Sequence, residues 1–364
     1  MSLQTTFHDL LQPLTGERVS LRTEAGRLVE RAQSLPGGGG RDVDASGLVL
    51  LPALYDADAH LPLVPLGLRE SDAYVALSGG VARVNVALQW QEIRDLDLPD
   101  LVADITARPL PKITPILSVH SDQDSTGFGE WLAEHRDEVA SLLPPVCKLY
   151  SYGEGFWENL DTVFDAGLLP IIYCKDFADV EAVVAKARGP VHFRHAMTEE
   201  LVHTMRQLDG ATLQTSPHFL LPVSDEVRSQ LYVLPPVADA ATRDAFLPLV
   251  MDEIDLIVTD HNAPPMTAPT GPGLQVQQHF LPALLTAARQ NDWPLADVLA
   301  KATTAPAAHF GVELGEPFAI VDPTATEPVG LWAPRQTADR APYAGLSLDG
   351  RVVAVGSDEE VVLL

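Results

Sequence analysis

The sequence predicts an α/β protein. Residues 52–311 read as a (β/α)8 barrel of the TIM type, and residues 1–51 and 312–364 as one small β-sandwich built from both chain termini. Three observations carry this. First, eight short apolar runs recur along the middle of the chain. The first leads into "LYDADAHLPL" at 54–63, and the rest are "ARVNVAL", "ITPILSV", "VCKLYS", "LLPIIYC", "GPVHFRH", "ATLQTSP" and "IDLIVTD". Second, segments with helical spacing lie between several of them, such as "DVEAVVAKAR" and "TEELVHTMRQL". Strands that alternate with helices build a parallel sheet, and eight of them close a barrel. Third, both ends of the chain are short β-rich pieces cut by Gly, Pro and Asp. These are "ERVSLRTEAGRLVERAQ", a "PGGGG" loop at 36–40, "FAIVDP", "VGLWAP" and "GRVVAVG".

The runs share a further property. Almost every one ends in a polar or reactive residue: His60, His120, Lys148, Cys174, His195, His218 and Asp260. In a parallel barrel these C-terminal strand ends meet on one face, where active sites are built. In the opening stretch Asp56, Asp58 and His60 alternate, so they share one side of a strand.

Composition narrows the function classes. The chain has 364 residues, 46% of them apolar, enough for a packed core. No apolar stretch approaches the ~18 residues of a membrane span. The first residues lack the pattern of a signal peptide. A net charge of -26 repels nucleic acid and anionic lipid, so neither is expected as a partner. Two cysteines, Cys147 and Cys174, make no disulfide framework and fit a reducing cytoplasm.

Taken in order, the motifs resemble those of the amidohydrolase superfamily, and within it the dihydroorotases. "VDASGLVLLPALYDADAHL" resembles the family opening that ends in D-x-H-x-H. "CKLY" at 147–150 is similar to the strand bearing a carboxylated lysine. "VHFRHAMTEELV" resembles the segment with a metal histidine, and "TSPHFLL" resembles T-x-P-H-x-L. "LPPVADAATRDAF" is similar to N-P-P-L-R and its short helix, and "IDLIVTDHNAPP" to I-D-x-I-x-T-D-H-A-P. "PGLQ" and "ATTAPAAHFGV" resemble the closing motifs. The match spans nearly the whole chain.

The resemblance implies a barrel with a terminal sandwich, one or two zinc ions, and hydrolysis of a cyclic amide, as in pyrimidine biosynthesis. It implies His60, Lys148, His195 and Asp260 as metal ligands, with Lys148 carboxylated into an anionic bridge. His218 would lie close by. Asp260 would also take the proton of the attacking water. Such chemistry needs a metal because an amide is a poor electrophile and neutral water a poor nucleophile. A homo-oligomer is expected.

Several positions depart from the family pattern. Asp58 stands where the first histidine of H-x-H belongs, and Cys174 where a histidine is usual. Both side chains can bind zinc. Asp58 can equally hydrogen-bond a strand-end loop, and Cys174 can be a small buried hydrophobe. Pro62 replaces the arginine that clamps the substrate carboxylate, and Leu234 replaces the asparagine of N-P-P. Arg69, Arg194 and His261 are the candidate substitutes for substrate contact. His192 reads as a packed, hydrogen-bonded residue, His120 and His279 as cavity lining, and His8, His135, His203 and His309 as helix or surface positions.

Two functions follow. One is a dihydroorotase-like, metal-dependent hydrolase of a cyclic amide with an altered site. The other is a catalytically silent dihydroorotase homologue that serves as a scaffold and partner of an aspartate transcarbamoylase.

Overall fold

The structure is a computed structural model that describes residues 4–37, 39–63, 68–121, 123–262, 271–326, 328–330 and 337–364. Five strands come first: β1 (Gln4–Leu11), β2 (Arg18–Glu24), β3 (Arg27–Ala32), β4 (Arg41–Asp44) and β5 (Val49–Pro52). The β2–β3 hairpin turns at Ala25 and Gly26, with φ of 50° and 76°. Two successive positive φ values match the right-handed twist of the strands, and glycine takes its share without a Cβ penalty.

The barrel follows. Its strands are β6 (Leu54–His60), β7 (Val81–Gln89), β8 (Lys112–Val119), β9 (Val146–Tyr150), β10 (Leu169–Tyr173), β11 (His192–Phe193), β12 (Thr212–Thr215), β13 (Leu256–Ile257) and β14 (His261–Asn262). All pairings within it are parallel. β8 is buried over all but its first residue, as a strand covered on both faces must be. β13 pairs with β12, and β14 pairs with β6 through His261–Ala59 and Asn262–His60. β13 and β14 are therefore two halves of the eighth stave, and the cylinder closes. The break between them holds Asp260 at φ 54°. That residue leaves the β region, and its N–H donates to the Asp58 carbonyl at 3.0 Å.

The chain then returns to the first sheet with β15 (Phe318–Asp322), β16 (Arg351–Gly356) and β17 (Val361–Leu363). The order is β17-β16-β15-β5-β1-β2-β3, with β4 on β1. Both termini thus share one layer, packed on Phe7, Leu10, Leu21, Leu50, Phe318 and Ile320. The strands pass from this layer to the barrel between Pro52 and Leu54. Inside the barrel, Tyr55, Ile116, Val146, Ile171 and Leu256 fill the floor beneath the strand ends. Residues 331–334 of "VGLWAP", Gly38 of the glycine loop and residues 263–265 of "HNAPP" lie outside the described residues. Among the described residues no helix is long and apolar enough to cross a membrane.

Candidate active site

The strand ends bring Asp58, His60, Lys148, Arg194 and Asp260 into one cluster. Asp58 and His60 come from β6, and Lys148 from β9. Arg194 follows β11, and Asp260 sits at the break in the eighth stave. Asp58 Oδ1 accepts from Lys148 Nζ at 2.7 Å, and Oδ2 accepts from Arg194 Nε and Gln214 Nε2, each at 2.6 Å. Arg194 Nη2 donates to Asp260 Oδ1 at 2.8 Å and to His60 Nε2 at 3.1 Å. His195 Nδ1 lies 4.0 Å from Asp260 Oδ2. Arg194 and His195 are consecutive, yet both line the same cavity. A regular strand would send them to opposite sides. His195 takes φ 56°, which breaks that alternation.

Behind the cluster runs a chain of supporting bonds. His192 Nε2 lies 2.9 Å from Gln214 Oε1, and its Nδ1 lies 2.8 Å from Thr212 Oγ1. Gln214 must present Oε1 to His192 because its Nε2 is given to Asp58. His192 therefore carries its proton on Nε2. Asp56 lies below, fully buried, and accepts from the Thr259 N–H at 3.0 Å, Thr259 Oγ1 at 2.5 Å and Gln277 Nε2 at 2.6 Å. Burial pushes its carboxyl up to about 7 against those donors.

The charges balance: two cations, Lys148 and Arg194, meet two carboxylates, Asp58 and Asp260. Burial alone would raise Asp58, but Arg194 and then Lys148 outweigh it and hold the carboxyl well below its usual range. Asp260 is likewise lowered against its burial, by His195, His60 and Arg194. Burial lowers His60, with Lys148 adding to it, and takes His195 down to about 3. Both imidazoles are neutral at pH 7, so Arg194 is the lasting cation beside Asp260. A carboxylate lowered in the folded state contributes stability above its unfolded pKa, about 3.9, and loses it as pH falls through the folded value. The buried neutral histidines His192, His195, His218 and His261 are lowered in the folded state and cost stability once pH falls below their unfolded value of about 6.5. Denaturant midpoints should therefore begin to fall below about pH 6, with the two carboxylates steepening the loss below about pH 4. Asp58→Asn should make the acid loss shallower.

Beside the cluster opens a cavity of about 560 Å3. His120 and Tyr150 stack on one wall with ring centroids 4.2 Å apart, and Tyr152 and Tyr173 continue it at 5.6 and 6.0 Å from Tyr150. Gln89, Lys175 and Leu234 also line it.

No protein-family model and no curated protein matches the chain by sequence. Solved structures do match. A dihydropyrimidinase from Brevibacillus agri NCHU1002 has a TM-score of 0.70 and 14% identity, over 100% of this chain and 95% of that one. The fold is the one seen in that dihydropyrimidinase. An L-hydantoinase (dihydropyrimidinase) from Arthrobacter aurescens gives a TM-score of 0.71 and 16% identity, covering 100% and 98%. A dihydroorotase from Campylobacter jejuni gives 0.60 and 14%, covering 84% and 97%. At these identities the likeness establishes the architecture, and the chemistry rests on the side chains present.

The resemblance read in the sequence implies zinc at these strand ends. Asp58, His60 and Asp260 offer three ligand atoms within 4.8 Å of one another. Arg194, however, hydrogen-bonds all three of these residues. A divalent ion would have to expel a guanidinium, or share the space with two carboxylates already neutralised. A carboxylated Lys148 fits no better, because its new anion would face Asp58 where the ammonium now stands at 2.7 Å. As the side chains stand, the residues do not fit a zinc centre.

The remaining candidates fall outside the cluster. Cys174 follows β10 and packs against the core, and burial raises its thiol. His218 is buried on the short helix Pro217–Leu220, neutral at about 4 through burial, with neither ring nitrogen partnered among the described residues. Arg69 pairs with Asp72 at the start of the helix Glu70–Ser78 and does not line the cavity. His261 Nδ1 accepts from the Val276 and Gln277 N–H groups at 3.1 and 3.3 Å, and it too lies off the cavity. Sequence reasoning missed Gln214 and the three tyrosines. The tyrosines' signal is visible in "KLYSY" and "PIIYCK", where they stand at or just beyond the ends of β9 and β10.

Proposed function

We propose that this chain is a catalytically silent dihydroorotase homologue, an amidohydrolase-fold scaffold that works by binding and contact. One observation carries the reading: Arg194 is bonded to Asp58, His60 and Asp260, the residues with the geometry to hold a metal. The exchange is reciprocal. A carboxylate stands where the resemblance expects a neutral histidine, and an arginine answers it across the barrel. The low pKa of Asp260 also makes it a weak proton acceptor, which suits a structural ion pair better than a general base. The expected partner is an aspartate transcarbamoylase in the cytoplasm, which ties the chain to pyrimidine biosynthesis.

A second reading keeps the activity. The three ligand atoms within 4.8 Å, with His195 close to Asp260, favour a zinc-dependent hydrolase of a cyclic amide. One experiment separates the two. Protein purified without chelator is incubated with zinc and bicarbonate, its metal content is measured by mass spectrometry, and turnover of dihydroorotate and hydantoin is assayed. The scaffold reading expects essentially no bound zinc, no turnover, and co-purification with the transcarbamoylase. Stoichiometric zinc with turnover lost in Asp260→Asn would end it in favour of the hydrolase.

A further inference from the structure

One wall of the cavity includes Leu234, Asn262, Pro272 and Gly273, which come from three separate segments of the chain. Backbone bonds tie these segments together. Gly273 N–H donates to the Tyr232 carbonyl and Asn262 N–H to the Leu274 carbonyl, each at 2.8 Å. The approach is close: a Cβ on Gly273 would lie 2.5 Å from Asn262 Cβ. A fourth segment then takes hold of two of them. Tyr232 N–H donates to the Asp339 carbonyl at 2.8 Å, and Gln275 N–H to the Arg340 carbonyl at 2.9 Å. The Arg340 side chain adds two more bonds, from Nη2 to the Gly271 carbonyl at 2.9 Å and from Nη1 to the Gly273 carbonyl at 3.3 Å. A guanidinium is a rigid fork of donors, so it fixes two carbonyls at a set spacing. Arg340 is buried. The stretch that carries it, residues 337–350, runs directly into β16 of the terminal sheet. It is fixed again at that end. Asp349 N–H donates to Thr286 Oγ1 at 2.7 Å, and Asp349 Oδ2 accepts from Arg289 Nε at 2.6 Å, both on the helix Phe280–Gln290. Between the two anchorages Ala341, Tyr343 and Leu348 are buried. A close-packed segment bonded at both ends transmits displacement rather than absorbing it.

We infer that residues 337–350 form a strap through which the terminal sheet sets the opening of the cavity, with Arg340 as its pin. Release of the pin frees the wall to move as a unit, because its three segments stay bonded to one another. A force on the sheet is then felt at the cavity without any contact to the charged cluster. The inference concerns the wall and not the cluster, so it stands apart from the choice between scaffold and hydrolase.

The test is hydrogen–deuterium exchange on the full chain, read in the peptides that carry the Tyr232, Gly273 and Gln275 amides. Arg340→Gln should speed these amides by about tenfold or more, because two charge-assisted bonds are lost at the wall. The amides of β7 and β8 should keep their wild-type rates, which separates opening of the wall from a general loss of stability. Thr286→Val keeps the shape of a buried side chain but removes the bond to Asp349 at the far end of the strap. It should speed the same three amides by about two- to fivefold, which a purely local clamp at Arg340 would not do. Should Arg340→Gln not fold, Thr286→Val still decides the matter. Wild-type rates at the three amides in Arg340→Gln, or an equal rise there and in β7 and β8, overturn the inference. So does a Thr286→Val variant that leaves the wall unmoved, since Arg340 would then clamp the wall without tying it to the sheet.

Discussion

Arg194→Ala should destabilise the protein by about 3–5 kcal/mol at pH 7 in EDTA, read from denaturant midpoints. The size follows from what the change leaves behind. Asp58 and Asp260 are both buried, and each would lose a donor within 2.8 Å. Lys148 still neutralises Asp58, but Asp260 keeps only the neutral histidines His60 and His195. An uncompensated buried carboxylate is among the most costly single defects a fold can carry. A loss under about 1 kcal/mol would mean that water reaches the cluster, and that the guanidinium is an ornament of the site rather than its centre.

Restoring the exchanged pair should restore metal uptake. The double variant Asp58→His, Arg194→Ala sets a new imidazole beside His60, His195 and Asp260, around space vacated by the guanidinium. That donor set suits zinc. The expected change is from essentially no zinc to about one per chain, with added zinc raising the variant's stability and leaving the wild type unmoved. Zinc titration followed by unfolding reads both. A double variant that still refuses zinc would show that Arg194 is not what keeps the ion out.

Much of this molecule is legible in the sequence. All eight apolar runs form barrel staves, because a strand covered on both faces has to be apolar nearly throughout. Two runs extend further in sequence than in the sheet. "GPVHFRH" contributes only His192–Phe193 to the ladder, and "IDLIVTD" only Leu256–Ile257 before the chain breaks. The cause is local. His195 and Asp260 take positive φ to turn their side chains toward the cavity, and a residue in that region cannot continue a strand. Asp58 stands out in the sequence as a departure, whereas Arg194 reads there only as a candidate substrate contact. Each change is interpretable alone as a lost ligand or a gained contact. Their complementarity emerges only when β6 and β11 are set across one barrel, a pairing of residues 136 positions apart. Gln214 is invisible in the sequence for the same reason.

The split eighth stave has a consequence for motion. The cylinder is closed by two residue pairs on one side, His261–Ala59 and Asn262–His60, and two on the other, Gln214–Leu256 and Thr215–Ile257. The long seam between β7 and β8 is stitched more densely, by seven pairs. Asp56 fastens the join from beneath by holding Thr259 and Gln277. Local opening follows the sparsest hydrogen bonding. The amides of residues 59–60 and 261–262 should accordingly exchange with deuterium well before those of β7 and β8. Because Asp260 sits at the join, anything that engages the cluster should slow that exchange, so the seam would report occupancy of the pocket from the backbone side.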